Sequence, residues 1–334
     1  MLSIIIPVYN AANVLERCLA SLVLQSYSDF IVMLINDGSI DNSGDICDRY
    51  VQQDTRFQVI HQKNAGVSAA RNVGMDQIKT PFVVFVDSDD WLSKNFLEDL
   101  LNDILTQQVD LVDQSFNRVY LDGSSHAECY ENNKFEQDNK EVWLEKMMRG
   151  HTGPFPKIYK TSIIQDQQLR FDESLHLCED LVFTLQYMKH ASNGIYFSNK
   201  LGYHYYQMAD SLGNNIQAKD MQVSYQALLE LLIILSDSFY APLLVQRDRP
   251  IYVRHKIIQL SMFFIASLHN NSKRKDRLVA LRTLRTYDLM HYWNYIKVKN
   301  PLRKLFFQFF QWNMLTIALC IEDFRYGLQK WGNS

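Results

Sequence analysis

Three carboxylates crowd into four residues at Asp87, Asp89 and Asp90, directly after the apolar run Phe82–Val86. Acids this close repel one another when ionised. A cluster of hard oxygen ligands suits a divalent cation, Mg²⁺ or Mn²⁺, that also holds phosphate oxygens. A plainer use of these acids is to open a helix, with Ser93 capping the run Asn95–Gln107. Capping takes one carboxylate or hydroxyl, however, and leaves the other acids unexplained. A second acidic pair, Glu179-Asp180, precedes Leu181, Leu185 and Met188, which repeat at helical spacing. It is either an acidic first helical turn, favoured by the helix dipole, or a source of general base.

The elements that must hold these acids follow from hydrophobic pattern. Phe82–Val86, opened by Pro81, is apolar throughout and predicts a central strand covered on both faces. Ahead of it come β-branched or apolar runs at Ser3–Val8, Phe30–Ile35 and Phe57–His61. Between them lie a helical pattern at Val14, Leu15, Cys18, Leu19 and Leu22, capped by Asn10 or Asn13, a helix around Gly44–Gln53, and one carrying Ala70, Gly74 and Ile78 on one stripe. Alternation of strand and helix predicts a parallel, doubly wound sheet. Its strands end in Tyr9-Asn10, Asp37-Gly38, Lys63-Asn64-Gly66 and Asp87–Asp90, the polar and small residues that a nucleotide cleft needs at that edge. Beyond the Asn95–Gln107 helix, the pattern gives a strand near Asp110–Tyr120, a polar loop over Asp122–Lys140, a helix around Glu141–Arg149 and a rigid turn at His151–Lys157. A helix over Leu181–His190 and a strand at Tyr203–Tyr206 follow, and the pattern is helical from about Lys219.

The 334 residues are ordinary in composition and carry a net charge of −3. The charge is unevenly placed: residues 1–230 hold 18 basic and 31 acidic groups, residues 231–334 hold 16 and 6. The five cysteines, Cys18, Cys47, Cys129, Cys178 and Cys320, are scattered, odd in number and without a Cys-x-x-Cys pair. They support neither a disulfide framework nor a thiolate zinc site and fit a reducing cytoplasm. The short apolar start has no basic leader and contains Pro7, so it reads as a strand and not as a secretory signal.

Taken in order, Ile4-Ile5-Ile6-Pro7-Val8-Tyr9-Asn10, Asn36-Asp37-Gly38-Ser39, Asn64-Ala65-Gly66-Val67-Ser68-Ala69-Ala70-Arg71-Asn72-Val73-Gly74, Asp87-Ser88-Asp89-Asp90-Trp91 and Glu179-Asp180 resemble the signatures of family 2 glycosyltransferases. Several weak motifs in the right order are more specific than any one alone. The resemblance covers about the first 215 residues. It implies the GT-A fold, an α/β, Rossmann-like, doubly wound and mostly parallel sheet. Residues 1–215 would then be the catalytic domain, with a nucleotide-sugar half at 1–120 and an acceptor half at 121–215, and 216–334 a helical, basic C-terminal appendage. The activity implied is an inverting, metal-dependent transfer of sugar from a nucleotide diphosphate, foremost a UDP-sugar, to a hydroxyl of a saccharide or lipid-linked saccharide in bacterial surface-glycan synthesis.

The resemblance also assigns roles. Tyr9, beside Pro7, offers an aromatic face for a base, Asp37 accepts a ring N–H, Asn64 and Gly66 line the same edge, and Arg71 is a fork of donors for a base carbonyl or phosphate. Asp87 faces ribose and metal, and Asp89 is the direct metal ligand. Asp90 either binds the donor sugar or caps a helix at Trp91. Asp180 is the base and Glu179 orients it or the acceptor; a helix start would hold the Asp180 pKa low. His204 lies where some GT-A enzymes place a third metal ligand, against the plainer reading of a packed histidine. Tyr206 stands where related sequences carry an arginine, so diphosphate binding would fall to the metal and to Lys157 or Lys63.

Two alternatives stay open: a non-catalytic nucleotide-sugar-binding or scaffold protein on the same fold, and a phosphatase whose Asp-x-Asp follows a strand. The phosphatase needs a later Gly-Asp-x-x-x-Asp, which is missing here. In the tail, Lys297, Lys299, Arg303 and Lys304 precede the aromatic-rich Leu305–Leu315. That suits the anionic inner face of the cell membrane, or packing on the acidic domain or on a second copy in an oligomer. Gln308, Gln311, Asn313 and Thr316 argue against a spanning helix. The basic charges are too diffuse to indicate nucleic acid.

Overall fold

The computed structural model describes residues 1–135, 153–175 and 179–207. All of them lie in the first of the two units into which the chain divides, Met1–Asn215. The expected helix around 141–149 and the basic helical region from 216 onward lie outside the described residues. In chain order the elements are β1 (Leu2–Val8), α1 (Ala12–Val23), β2 (Phe30–Asp37), α2 (Ser43–Gln53), β3 (Phe57–Gln62), α3 (Val67–Asp76), β4 (Phe82–Phe85), β5 (Trp91–Leu92), α4 (Phe96–Gln107), β6 (Leu111–Val119), β7 (Ser125–Glu128), β8 (Asn133–Phe135), β9 (Lys157–Lys160), α5 (Thr161–Asp166), α6 (Glu179–His190) and β10 (Ile195–Tyr206).

The fold is the mixed α/β sheet of the GT-A class. Its path runs β3-β2-β1-β4-β9-β6-β10-β5, with β7 paired to β6 and β8 to β10. The first four strands pair in parallel, as the alternating pattern predicts. The parallel arrangement stops there: β9 runs antiparallel to both β4 and β6, and β10 is parallel to β6 but antiparallel to β5 and β8. The expectation of a mostly parallel sheet therefore describes the β3-β2-β1-β4 side of the described sheet.

β1 is buried at every position and β4 from Val83 onward, as unbroken apolar strands flanked on both sides must be. Pro7 interrupts nothing in the β1–β4 ladder, whose last pair is Ile5 with Phe85, so its missing N–H removes no bond from it. In α1, Leu15, Cys18, Leu19 and Leu22 are buried at the spacing of a single helix face, and each large apolar side chain so buried contributes about 1.5–3 kcal/mol. α3 lies so close to β1 that a Cβ on Gly74 would meet Ile5 Cγ2 at 2.6 Å.

Three local expectations change. The cap of α1 is lent by another loop: Ala11 N–H donates to Ser43 Oγ (2.9 Å) and Ala12 N–H to Asp41 Oδ2 (3.0 Å), while Asn10 Oδ1 accepts from Ile40 N–H (2.9 Å). The segment from Asp122 is not all loop, since β7 and β8 occupy part of it; their mostly exposed side chains left no apolar alternation to read. Trp91 begins a two-residue strand and not a helix, because it pairs with His204 on β10. β10 itself carries register shifts between Ser198 and Tyr203, which let its first half pair with β8 and its second half turn to β5. Lys200, in that irregularity, is anchored by Asp99 (3.2 Å) and Asp103 (2.9 Å). No helix among the described residues is long and apolar enough to cross a membrane.

Candidate active site

At the carboxyl edge of the parallel strands, Asp37 is 3% exposed and works as a loop anchor. Its Oδ1 accepts from Gln62 Nε2 (2.7 Å) and Ala65 N–H (2.9 Å), and its Oδ2 accepts from Gly66 N–H (2.9 Å). Two glycines make that closeness possible. Gly38 has φ +71° and its missing Cβ would sit 2.6 Å from Asn64 N, and Gly66 has φ +93° where α3 begins, both values that side chains disfavour. Asn64 and Gly66 are exposed on this held loop. Tyr9, also exposed at 49%, projects at the end of β1.

Arg71 is buried, 4% exposed, one turn into α3, where sequence alone leaves an exposed helix arginine open. Its Nη2 donates to Asp87 Oδ1 (2.9 Å) and its Nη1 lies 3.5 Å from Glu179 Oε1. Nη1 and Nε make no hydrogen bond. A buried cation without anionic partners is strongly disfavoured; burial pulls the Arg71 pKa down and the carboxylates of Asp87, Glu179 and Asp180 outweigh it, leaving it raised. The two acidic clusters picked out from sequence thus meet on one guanidinium.

The three acids after β4 have different fates. Asp87 pairs with Arg71, and its N–H donates to Tyr203 Oη (3.2 Å). Asp90 is 0% exposed; its Oδ2 accepts from Tyr203 Oη–H (2.6 Å) and its Oδ1 from Tyr206 N–H (2.7 Å). Burial, then the charges of Asp89 and Asp87, push the Asp90 pKa well up. Neither expected role suits it. No helix starts at Trp91, and with both oxygens engaged and no exposed surface Asp90 has nothing to offer a donor sugar in this structure. It ties the end of β10 to the acid loop. Asp89 alone has a carboxylate without a partner from another described residue, and burial and Asp87 raise its pKa to about 6.

Asp89, with Asp87 beside it, is the carboxylate here that could hold a cation. No group of three or more His, Cys, Asp or Glu side chains gathers to hold a metal among the described residues. The donor set fits a Mg²⁺ or Mn²⁺ ion that takes one or two carboxylates and completes its shell with phosphate oxygens.

Glu179 and Asp180 open α6. Asp180 corrects an expectation: its pKa is raised to about 7, chiefly by burial and then by Glu179, against the lowering by Arg71 and by the Leu181 N–H that donates to its Oδ1 (2.6 Å). Desolvation and a like charge outweigh the helix start. The result is a stronger proton acceptor than a dipole argument predicts.

Lys157 is not available to a phosphate. It is 0% exposed, donates to the carbonyls of Gly153 (2.9 Å) and Phe155 (3.3 Å), and pairs with Asp113 at 3.2 Å. Lys63 is exposed at the end of β3. His204 is a packed histidine, its Nε2 2.9 Å from Ser93 Oγ and its ring stacked on Trp91 at 5.0 Å; Ser93 therefore does not cap α4 with its side chain. Burial, with Arg17, lowers the His204 pKa. Sequence reasoning missed Tyr203 and Arg17. Tyr203 sits in an evident tyrosine-rich strand, but nothing in the sequence pairs it with Asp90. Arg17 sits on a helix whose apolar face gives no sign of the acid loop nearby.

Residues 3–164 match the family model described as Glycosyl transferase family 2. These residues belong to glycosyltransferase family 2. Among curated relatives, GlyA of Streptococcus pneumoniae is 33% identical over 248 residues, 72% of this chain but only 35% of GlyA. The chain thus spans about a third of that relative. EpsJ of Bacillus subtilis, described as an uncharacterized glycosyltransferase, is 28% identical over 299 residues, covering 87% of this chain and 85% of EpsJ. Among solved structures, residues 1–349 of S. aureus TarS in complex with UDP-GlcNAc align with a TM-score of 0.61 at 21% identity, over 87% of this chain and 89% of that one, a likeness of fold.

Proposed function

We propose that the chain is an inverting glycosyltransferase that moves a sugar from a nucleoside diphosphate, foremost a UDP-sugar, to a hydroxyl of a saccharide or lipid-linked saccharide acceptor in bacterial surface-glycan assembly. The observation that carries this reading is Arg71, which binds Asp87 on the donor side and approaches Glu179 on the acceptor side. Donor-holding and proton-accepting groups thereby share one site. The UDP preference draws on the TarS structure solved with UDP-GlcNAc.

In this reading the base stacks on Tyr9, and the loop that Asp37 anchors, with Asn64 and Gly66, borders it. Asp89, with Asp87, would hold a Mg²⁺ or Mn²⁺ ion. Such an ion, when bound, supplies positive charge against the leaving diphosphate. Asp180 Oδ1 is occupied by the Leu181 N–H, so Oδ2 takes the acceptor proton. The acceptor oxygen bonds to the anomeric carbon as the bond from that carbon to the diphosphate oxygen breaks on the opposite face. Glu179, held near Arg71, orients the acceptor or the base.

Melting temperatures with UDP, GDP and dTDP, each with Mn²⁺ and with EDTA, test the donor site, since a ligand that binds the folded chain raises its stability by linkage. Stabilisation by UDP with Mn²⁺, abolished by EDTA or by Asp89→Asn, is the expected result. No stabilisation by any diphosphate would overturn the reading.

A further inference from the structure

Arg17 is set apart from the other described arginines. Arg49, Arg56, Arg71, Arg118 and Arg170 each form an ion pair with a carboxylate. Arg17 forms none with a described residue, although three acids lie in the adjoining loop. Its Nη2 instead donates to the backbone carbonyl of Asp89 at 2.8 Å. The guanidinium carbon lies over two rings, 3.8 Å from the centre of the Trp91 ring and 4.4 Å from that of Tyr206. Cation–π contacts of this kind favour a fixed orientation of the guanidinium. Its Nε is closed off from solvent with no acceptor, so that edge of the fork is not offered to a ligand.

These contacts knit together four parts of the chain. Arg17 comes from α1, Asp89 from the acid loop, Trp91 from β5 and Tyr206 from the end of β10. Tyr206 is in turn fixed by its N–H to Asp90 Oδ1. The one residue of the acid loop held by its backbone alone is Asp89, whose carboxylate has no partner from another described residue. A side chain that immobilises the peptide while leaving the carboxylate open prepares that carboxylate for a ligand. Tyr206 occupies the place where an arginine is expected from the resemblance, and its ring supports an arginine from α1 instead.

We infer that Arg17 is a positioning residue for the donor diphosphate, holding the Asp89 peptide so that the carboxylate is presented in a fixed direction. The inference rests on the donor-site reading above. It assigns Arg17 no contact with the base, so nucleoside binding should be indifferent to it.

Calorimetric titration of the full chain with uridine and with UDP plus Mn²⁺ tests this in the wild type, Arg17→Met, Arg17→Lys and Tyr206→Leu. A hydrogen bond from a charged group is worth about 1.5–3 kcal/mol, so Arg17→Met should weaken UDP–Mn²⁺ binding by about tenfold or more and leave uridine binding unchanged. Arg17→Lys, which keeps a donor and a charge but loses the planar fork, should recover part of the loss. Tyr206→Leu, which keeps the guanidinium and removes one ring, should give a smaller loss in the same direction and keeps the test open if Arg17→Met does not fold. Unchanged UDP–Mn²⁺ binding in Arg17→Met, or in Tyr206→Leu where only that variant folds, overturns the inference, as does an equal loss of uridine binding, which would make Arg17 a support of the fold alone. Absence of Mn²⁺-dependent UDP binding in the wild type would instead overturn the donor-site reading itself.

Discussion

The acidic loop after β4 and the acidic start of α6 are built from the same side chains but neutralised by different means. In the loop, Asp87 is paired with Arg71 and Asp90 is fixed by Tyr203 and Tyr206, which leaves Asp89 open. At α6, Glu179 approaches the same arginine, and among the described residues Asp180 accepts only from the Leu181 N–H. Among the described residues each cluster thus has one acid without a partner from another side chain, and these two, Asp89 and Asp180, have pKa values raised to about 6 and about 7. Shared burial with unequal pairing separates acids that hold the scaffold from acids kept for chemistry.

Removing the shared cation is the severest way to break this division. Arg71→Met leaves Asp87 and Glu179 without a cation, and loss of one partner of a buried pair costs about 3–5 kcal/mol. Urea unfolding should show a loss toward the lower end, since Asp87 keeps 24% side-chain exposure, with UDP stabilisation lost as well. An unchanged unfolding midpoint would mean that Arg71 does not join the clusters. Tyr203→Phe acts on the loop alone. It withdraws one of two hydrogen bonds from Asp90 and the acceptor of the Asp87 N–H, at about 1–3 kcal/mol each, and should lower the melting temperature while leaving the Asp180 pH dependence in place.

The smallest effect concerns pH. Asp180 binds its proton more tightly folded than unfolded, so between the ordinary value of 3.8 and about 7 its contribution to stability falls as pH rises. Asp180→Asn removes that penalty, and the variant should gain melting temperature relative to wild type at pH 8 but not at pH 4. As a base, Asp180 must be unprotonated, so transfer should climb as pH rises through about 7. A rate that is flat from pH 5 to 8 would speak against Asp180.

Much of the parallel side of the sheet is legible because its signals are local. The unbroken apolar Phe82–Val86 could only be a covered strand, and acids at its end had to face a ligand or find partners. What was not legible depends on contacts between distant segments. Whether Asp90 is a ligand or a tether is decided by Tyr203, and whether Lys157 meets a phosphate is decided by Asp113. Neither pairing leaves a mark in local spacing. β7 and β8 escaped notice because strands with mostly exposed side chains lack the apolar alternation by which strands are recognised. The Asp180 pKa was misjudged for a similar reason: a helix start is visible in sequence, but the burial that overrides it is not.

The division of labour between the two clusters is tested most directly by comparing Asp89→Asn and Asp180→Asn in one preparation. UDP stabilisation with Mn²⁺ would be measured alongside sugar transfer from a UDP-sugar to an acceptor glycan. Asp89→Asn should lose both. Asp180→Asn should keep UDP stabilisation and lose transfer by about 10²–10⁴. Wild-type transfer rates in Asp180→Asn, or full Mn²⁺-dependent UDP stabilisation in Asp89→Asn, would contradict the assignment.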